Sequence, residues 1–394
     1  MSKHRRNIGS GQAPRFDQRD TMFNRPRDTE KSNPEILEMG QKHYGVRRFK
    51  DDEGYTLLDW AFAMGAWHME RWRGFGNIVG NEGLYEWFPD QSRIAQRDRI
   101  PEGQTWKISD PGKRTRIIKT AATYLGASAV GVCKLNPDWI YSHRFDPRDF
   151  SHEPIENIPE DCTTAIVMVH EMDYALMKTA PSYGENAATG RGYSTMAHVA
   201  SSVAHFLRDL GYKAIPSGND TALSIPLAID AGLGEIGRNG LLITPQFGPR
   251  VRISKVFTNL NLVPDKPIEI GVRRMCEVCG KCAKSCPGKA ITPDEPTHKG
   301  PTISNNHGIF KWYINPEKCF KFWVRNKGDC ANCIRVCVFN KPDSPLHGFV
   351  RWHVKNLPQF DNLYLKMDDV FGYGKKIGMN EIWKSSKGAS CLPG

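Results

Sequence analysis

Cys276-Glu277-Val278-Cys279-Gly280-Lys281-Cys282-Ala283-Lys284-Ser285-Cys286-Pro287 frames the reading of the whole chain. The spacing C-x2-C-x2-C-x3-C-P is the bacterial ferredoxin run. Three thiolates in one tight loop can reach three corners of a cubane. The fourth, at the start of a helix, points away and serves a second cluster. A second set follows as Cys319, Cys330, Cys333 and Cys337, spaced C-x10-C-x2-C-x3-C. The crossing rule predicts one [4Fe–4S] cluster on Cys276, Cys279, Cys282 and Cys337, and another on Cys286, Cys319, Cys330 and Cys333. Zinc also favours C-x2-C pairs, but it needs neither the third cysteine nor the Cys-Pro end.

Working outward, the chain has 394 residues, 39% apolar and 25% charged, which excludes a disordered, collagen-like or coiled-coil protein. Eight of the 11 cysteines crowd into residues 276–337, whereas a disulfide scaffold would be short and would spread them. Cys133 and Cys162 lie in or beside strand patterns and read as buried and inert. A plain ferredoxin would not need the 275 residues that precede Cys276, so electrons must be received in that part of the chain. There is no run of 18 apolar residues, and Arg5-Arg6 is not followed by the apolar stretch of a signal peptide. The net charge is +11, and residues 1–50 carry 12 basic and 6 acidic residues. They read as a basic arm, extended over the surface or docked on an acidic partner or an anionic membrane. No nucleic-acid reading motif is present, so no nucleic-acid partner is expected.

The pattern predicts four units: an N-terminal arm and aromatic cap (1–113), an α/β core (114–262), a ferredoxin-like module (263–345) and an aromatic, basic extension (346–394). Residues 55–106 hold Trp60, Trp67, Trp72, Trp87 and Trp106, and Gly74, Gly76, Gly80 and Gly83 argue against a long helix there. Helical spacing covers 114–126, 194–210 and 225–231, with Ser194 or Thr195 as the cap of the second. Strands are expected at 129–133, 164–169, 213–215, 241–243 and 251–258.

Gly232-Leu233-Gly234-Glu235-Ile236-Gly237 matches G-x-G-x-x-G. A dinucleotide site would need a strand before it, a helix after it and an acid about 20 residues on. Here a helical pattern precedes it, a strand follows and position 257 is Phe. The glycines are expected to end a helix and to let the backbone pass close to a flat cofactor.

Four stretches resemble the corrinoid-dependent reductive dehalogenases: Gly192-Tyr193-Ser194-Thr195-Met196-Ala197, Gly218-Asn219-Asp220, Ala231 to Arg238, and Thr244-Pro245-Gln246-Phe247-Gly248-Pro249-Arg250-Val251-Arg252. The two cysteine motifs and the tail Lys366 to Gly374 follow as in that family. The resemblance covers roughly residues 115–375. It implies an α+β fold, a nitroreductase-like cobamide-binding core with an inserted two-cluster ferredoxin-like module. It implies replacement of halogen by hydrogen, with Tyr193 as proton donor, Arg252 beside it and Asn219 positioning substrate or proton. Cofactor contacts are expected from Thr189, Ser194, Met196, Gly218, Ser224, Gly234 and Thr244. Trp323 is expected as a pocket wall or a core residue. The family binds its cobamide base-off, and this sequence has no D-x-H-x-x-G segment. Small chlorinated ethenes or alkanes, a low-potential electron donor and a membrane-anchor subunit are the implied partners, and a homodimer is allowed. The implied location is the outer face of the cytoplasmic membrane after loss of a leader, or the cytoplasm if this is the complete product.

The residue chemistry stands beside the resemblance. A tyrosine titrates near ~10 in water, so it keeps its proton until a strong base forms at carbon. A nearby guanidinium lowers the cost of losing that proton. Three rival readings stand against it. A queuosine-pathway tRNA-base reductase would use an Asp in a motif similar to Asp220-Thr221-Ala222. A non-catalytic electron-transfer subunit would hold iron and no cobalt. A corrinoid carrier would need no pair of clusters.

Overall fold

Thr164–Glu171 and Val251–Thr258 are buried on both faces almost throughout, and they form the centre of the sheet. The computed structural model describes residues 14–46, 49, 51–74, 83–89, 101, 103–156, 158–342 and 344–384. In chain order the first elements are α1 (Pro34–Tyr44), α2 (Leu57–Met69), α3 (Pro111–Tyr124), β1 (Ala129–Lys134), β2 (His143–Phe145), β3 (His152–Pro154) and β4 (Thr164–Glu171). Next come α4 (Tyr174–Met177), α5 (Tyr183–Asp209), β5 (Ala214–Ser217), α6 (Ser224–Asp230), β6 (Glu235–Ile236), β7 (Leu242–Ile243) and β8 (Val251–Thr258). The cysteine-rich part contributes α7 (Val272–Cys279), α8 (Lys281–Lys284), α9 (Pro316–Asn326) and α10 (Asn332–Arg335). The chain continues through α11 (Pro345–Asn356), α12 (Asp361–Val370) and α13 (Met379–Lys384).

The main sheet is antiparallel with strand order β1-β4-β8-β5. Side chains alternate across it. Ile166, Met168 and Val256 face α5 and pack with Met196, Val199 and Val203. Val167, Val169, Ile253 and Phe257 face the other way, toward Leu227 and Ala228 of α6. Two covered faces make this a mixed helix–sheet core.

Three sequence expectations change. The helix expected over 194–210 begins eleven residues earlier and is capped by Ser182, whose Oγ accepts from Gly184 N, not by Ser194 or Thr195. Its first half is rich in glycine, which favours helix poorly. Packing reverses that preference: a Cβ on Gly190 would lie 2.4 Å from the Trp67 ring, and one on Gly192 3.0 Å from the Arg252 side chain. The glycines let α2 and β8 approach.

The second change is α2, a regular helix where the glycines suggested none. Thr56 and Asp59 form a reciprocal capping box, and Gly65 inside α2 meets nothing within 4 Å. The helix widens into a π turn at Glu70–Gly74. Gly76 and Gly80 lie outside the described residues, as do Arg5, Arg6 and Cys391. The third change is the N-terminal arm, whose described part is folded. Met22 and the α1 residues Ile36 and Met39 pack on Phe320 and Trp323 of α9. Among the described residues no helix is long and apolar enough to cross a membrane.

Two alanine substitutions test this packing. Gly65→Ala should raise stability by about 0.5–1 kcal/mol, because it fills open space in a helix. Gly131→Ala should lower it by about 1–3 kcal/mol, since its Cβ would stand 2.1 Å from the Ala231 carbonyl oxygen. Thermal unfolding of the two variants against the parent reads both signs.

Candidate active site

Tyr193 on α5, Asn219 in the turn after β5 and Arg252 on β8 come together at one end of the sheet. Asn219 Nδ2 donates to Tyr193 Oη at 2.7 Å. The Arg252 guanidinium lies over the Tyr193 ring, 4.7 Å from its centroid. Trp67 of α2 stacks on the same ring at 4.9 Å and 22°. Its indole N–H donates to Asn186 Oδ1 at 3.0 Å, which fixes the wall it makes. A hydroxyl that accepts from Asn219 keeps its own hydrogen available to donate. The guanidinium against the ring face makes a cation–π contact that holds the ring in place.

The Asn219 turn is held from behind. Gly218 N and Ser217 Oγ donate to Asp220 Oδ1 at 2.7 and 3.2 Å, and Thr221 Oγ1 donates to Asp220 Oδ2 at 2.7 Å. Asp220 is therefore turned inward and buried. Thr221 sits at φ +64°, a costly conformation for a β-branched residue. A buried cation supports this turn. Lys255 of β8 donates to the carbonyl oxygens of Gly218 and Ala222 and to Ser224 Oγ, the last two at 3.1 and 3.0 Å. Burial pushes the Lys255 ammonium down to about 8. Tyr141 adds an outer brace, with its N–H on the Thr221 carbonyl at 2.9 Å and its hydroxyl on the Asn219 carbonyl at 3.4 Å.

Several titratable groups gather nearby that the sequence did not single out. Glu70, at the end of α2, has its backbone N–H on Ser194 Oγ. Burial, and then the charge of Asp220, push its carboxyl up to about 8. His170 of β4 stands opposite Arg252 in the strand register, with Nε2 2.8 Å from Ser254 Oγ. Burial pushes it down to about 3, which keeps it neutral beside the guanidinium. Glu185, one turn before Thr189 on α5, is fully buried. Its carboxyl oxygens find no well-formed hydrogen bond, although Thr189 is adjacent, and burial raises it well above the usual carboxylate range. It lies within electrostatic reach of both Arg252 and Cys330. No local sequence pattern marks Lys255, Glu185 or Glu70, because each is significant only through a contact distant in the chain.

The residues expected to contact a cofactor fall into two groups. Thr189 is buried, accepts from Arg252 at 3.2 Å and lies one turn before Tyr193. Gly218 and Ser224 flank the Asn219 turn. The others are engaged within the protein. Ser194 Oγ donates to the Ala66 carbonyl at 2.7 Å, and Met196 is buried in the core under the sheet. A Cβ on Gly234 would lie 2.2 Å from the Ile243 carbonyl oxygen, so its close approach is to β7 and not to a flat ligand. Thr244 Oγ1 closes its own turn onto the Gly248 carbonyl at 3.1 Å. Trp323 packs among Phe23, His43 and Phe320 and is not brought to Tyr193.

The eight module cysteines are grouped by the tertiary structure. Cys337 has Cys276, Cys279 and Cys282 as electrostatic neighbours. Cys330 has Cys319 and Cys286, and Cys333 has Cys319, Cys330, Cys282 and Cys286. Backbone N–H groups point at sulfur, from Arg238 to Cys276 Sγ at 3.5 Å and from Ala290 to Cys286 Sγ at 3.2 Å. The donor set is all thiol, with Cys330 buried and the other seven half-buried, and amides are aimed at it, as an iron–sulfur ligand set requires.

Comparison with known proteins gives four matches. Residues 275–341 match the 4Fe-4S dicluster domain. Tetrachloroethene reductive dehalogenase of Sulfurospirillum multivorans is 38% identical over 339 residues, covering 78% of this chain and 67% of that protein. The protein of the same name from Desulfitobacterium hafniense is 36% identical over 397 residues, covering 85% and 71%. A solved structure of a catabolic reductive dehalogenase, NpRdhA, matches with a TM-score of 0.73 at 26% identity, covering 92% of this chain and 47% of that one. The chain thus spans about half the length of that solved structure.

Glu70 gives this site a pH signature. Its folded-state value lies above the unfolded one, so the unfolded chain loses its proton first as pH rises. Stability should fall between about pH 4.5 and 8 on this account. Glu70→Gln should flatten that slope, and its gain in unfolding temperature should be larger at pH 8 than at pH 5.

Proposed function

The chain belongs to the reductive dehalogenases, oxidoreductases acting on carbon–halogen bonds, and we propose that it dehalogenates a small chlorinated ethene or alkane (R–X + 2e⁻ + H⁺ → R–H + X⁻). The observation that carries this reading is the convergence of Tyr193, Asn219 and Arg252, with Trp67 stacked against the tyrosine. The relatives named as tetrachloroethene reductive dehalogenases support the substrate class. An apolar aromatic wall also suits a halocarbon that offers no hydrogen-bonding handle.

In this reading the chain's residues deliver and stabilise a proton. Tyr193 holds it at Oη. Asn219 orients that oxygen and keeps its hydrogen bond as charge develops there. Arg252 places a positive charge on the ring face, and Thr189 fixes the guanidinium. Lys255 and Asp220 hold the Asn219 turn in register with Tyr193, so the donor geometry is set before substrate arrives. Trp67 packs against the ring and excludes water from one side.

The nitroreductase-like core would hold a base-off cobamide. Thr189, Gly218 and Ser224 are assigned to it, together with Glu185, whose unsatisfied buried carboxyl lies between the cysteine module and Arg252. Ser194, Met196, Gly234 and Thr244 are not assigned, since they are engaged within the protein. Two [4Fe–4S] clusters would be held by Cys276, Cys279, Cys282 and Cys337, and by Cys286, Cys319, Cys330 and Cys333, in keeping with their grouping in space. When bound, the clusters supply electrons singly and the cobalt gives two of them at low potential. A low-potential donor, a membrane-anchor subunit and the outer face of the cytoplasmic membrane complete the proposal. The tRNA-base reductase reading is not favoured, because both Asp220 carboxylate oxygens are taken up by hydrogen bonds within its own turn.

Halide release decides the matter. Anaerobic, cobamide-loaded protein with reduced viologen should release chloride from tetrachloroethene or trichloroethene. Absence of release from chlorinated ethenes, alkanes and a chlorophenol, with iron and cobalt bound, would overturn the reading. Tyr193→Phe should keep both cofactors and lose most turnover, by about 10²-fold or more.

Iron analysis checks the cluster assignment separately. About eight irons per chain are expected, and a value near four removes one cluster from the proposal. In Cys286→Ala the cluster completed by Cys319, Cys330 and Cys333 should be the one damaged in the electron paramagnetic resonance spectrum.

A further inference from the structure

A second group of ligand-type side chains lies outside the site and the cysteine module. Asp17 enters from the N-terminal segment, His143 from β2 and His152 from β3. His152 Nε2 is 2.8 Å from Asp17 Oδ2, and His143 Nδ1 is 4.0 Å from the same oxygen. One ligand atom from each residue lies within 4.8 Å of the other two. The imidazoles are stacked, with centroids 4.6 Å apart at 21°. All three side chains are half-buried, at 25%, 37% and 24% exposure.

We propose that Asp17, His143 and His152 form a divalent transition-metal site, taking Zn²⁺ or a cation of similar preference, that fastens the N-terminal segment to the β2–β3 hairpin. The donor set is two imidazoles and one carboxylate, which suits zinc and its neighbours and not calcium or magnesium. Around a tetrahedral Zn²⁺ with bonds of ~2.0 Å, ligand atoms stand ~3.3 Å apart. One separation lies below that value and the other above it, so binding turns the stacked rings toward the cation and His143 Nδ1 exchanges its 3.1 Å contact with Ser142 Oγ for it. The remaining position is left to water. Asp20 lies within electrostatic reach of Asp17 and His152 and adds negative charge beside the cation.

The supporting backbone is already built. Asp17 Oδ1 accepts from Arg19 N at 2.9 Å, which leaves Oδ2 directed at the histidines. Ser142 N donates to the Phe16 carbonyl at 2.8 Å, and Arg15 donates to the carbonyls of Tyr141 and Ile155 at 2.6 and 3.2 Å. The ligands are thus presented by fixed neighbours. Tyr141, the brace behind Asn219, lies two residues before His143 and accepts from Arg15 of the N-terminal segment.

The test uses protein with its iron–sulfur clusters intact. Wild type, Asp17→Asn, His143→Ala and His152→Ala are titrated with Zn²⁺ by calorimetry, with iron content measured on each. One Zn²⁺ per chain is expected, with affinity lowered at least ~tenfold in each variant and iron unchanged. Zn²⁺ should also slow proteolysis within residues 14–31 of the wild type and not of His143→Ala. Equal Zn²⁺ uptake by wild type and variants, or no saturable binding by wild type, overturns the site. If His152→Ala loses iron, His143→Ala and Asp17→Asn still decide the question, because all three ligands are required.

Discussion

A charged amine sits where no water reaches it, and much of the site depends on how it is satisfied. Lys255 lies on β8 in the middle of the sheet with no exposed surface. Leaving such a group unpaired would cost on the order of several kcal/mol. The chain satisfies it by folding the 218–224 segment around it, with backbone carbonyls and the Ser224 hydroxyl as acceptors. That requirement sets the turn, the turn sets Asn219, and Asn219 sets the Tyr193 hydroxyl. The strained Thr221 conformation persists because these bonds over-determine it.

A second set of contacts joins the core to the electron-carrying module. The Gly232–Gly237 segment, which resembles a nucleotide loop in sequence, acts as the seat of α7. Glu235 Oε2 accepts from the N–H groups of Ile270 and Val272 at 2.5 and 3.2 Å, at the start of that helix. Arg238 donates to the carbonyls of Cys276, Thr292 and Asp294 and stacks over Trp312 at 4.5 Å. The glycines are needed for close passage of one backbone past another. The tail closes the module from the other side, with Asp368 accepting from Lys281 at 2.6 Å and from Lys341.

The module also has an internal pseudo-symmetry that residue spacing conceals. Cys279 and Cys330, and likewise Cys286 and Cys337, are 51 residues apart. Gly280 and Ala331 occupy matching positions, and both adopt left-handed backbone, φ +60° and +44°. The inserted residues between Cys319 and Cys330 hide this match from a search for repeats. Asn332 Nδ2 on the Ser285 carbonyl at 2.5 Å ties the halves together.

The sequence alone determined what is encoded locally. Thiolate spacing is a local property, so the two cysteine motifs were legible, as were the strands of the sheet and the helices α3 and α6. The Tyr193, Asn219 and Arg252 motifs could be named, but not their arrangement, since they lie on three elements separated by 26 and 33 residues. Only the tertiary structure decided that α5 extends back to Tyr183, because its glycines are explained by Trp67 and Arg252, not by helix propensity. Only it placed Trp323 with the N-terminal arm and turned Asp220 inward. It alone showed Lys255 as the support of the Asn219 turn. The physical reason is common to all of these. Propensity and ligand spacing act over a few residues, whereas solvating a buried charge, seating a glycine against a ring and orienting a hydroxyl depend on partners far away in the chain.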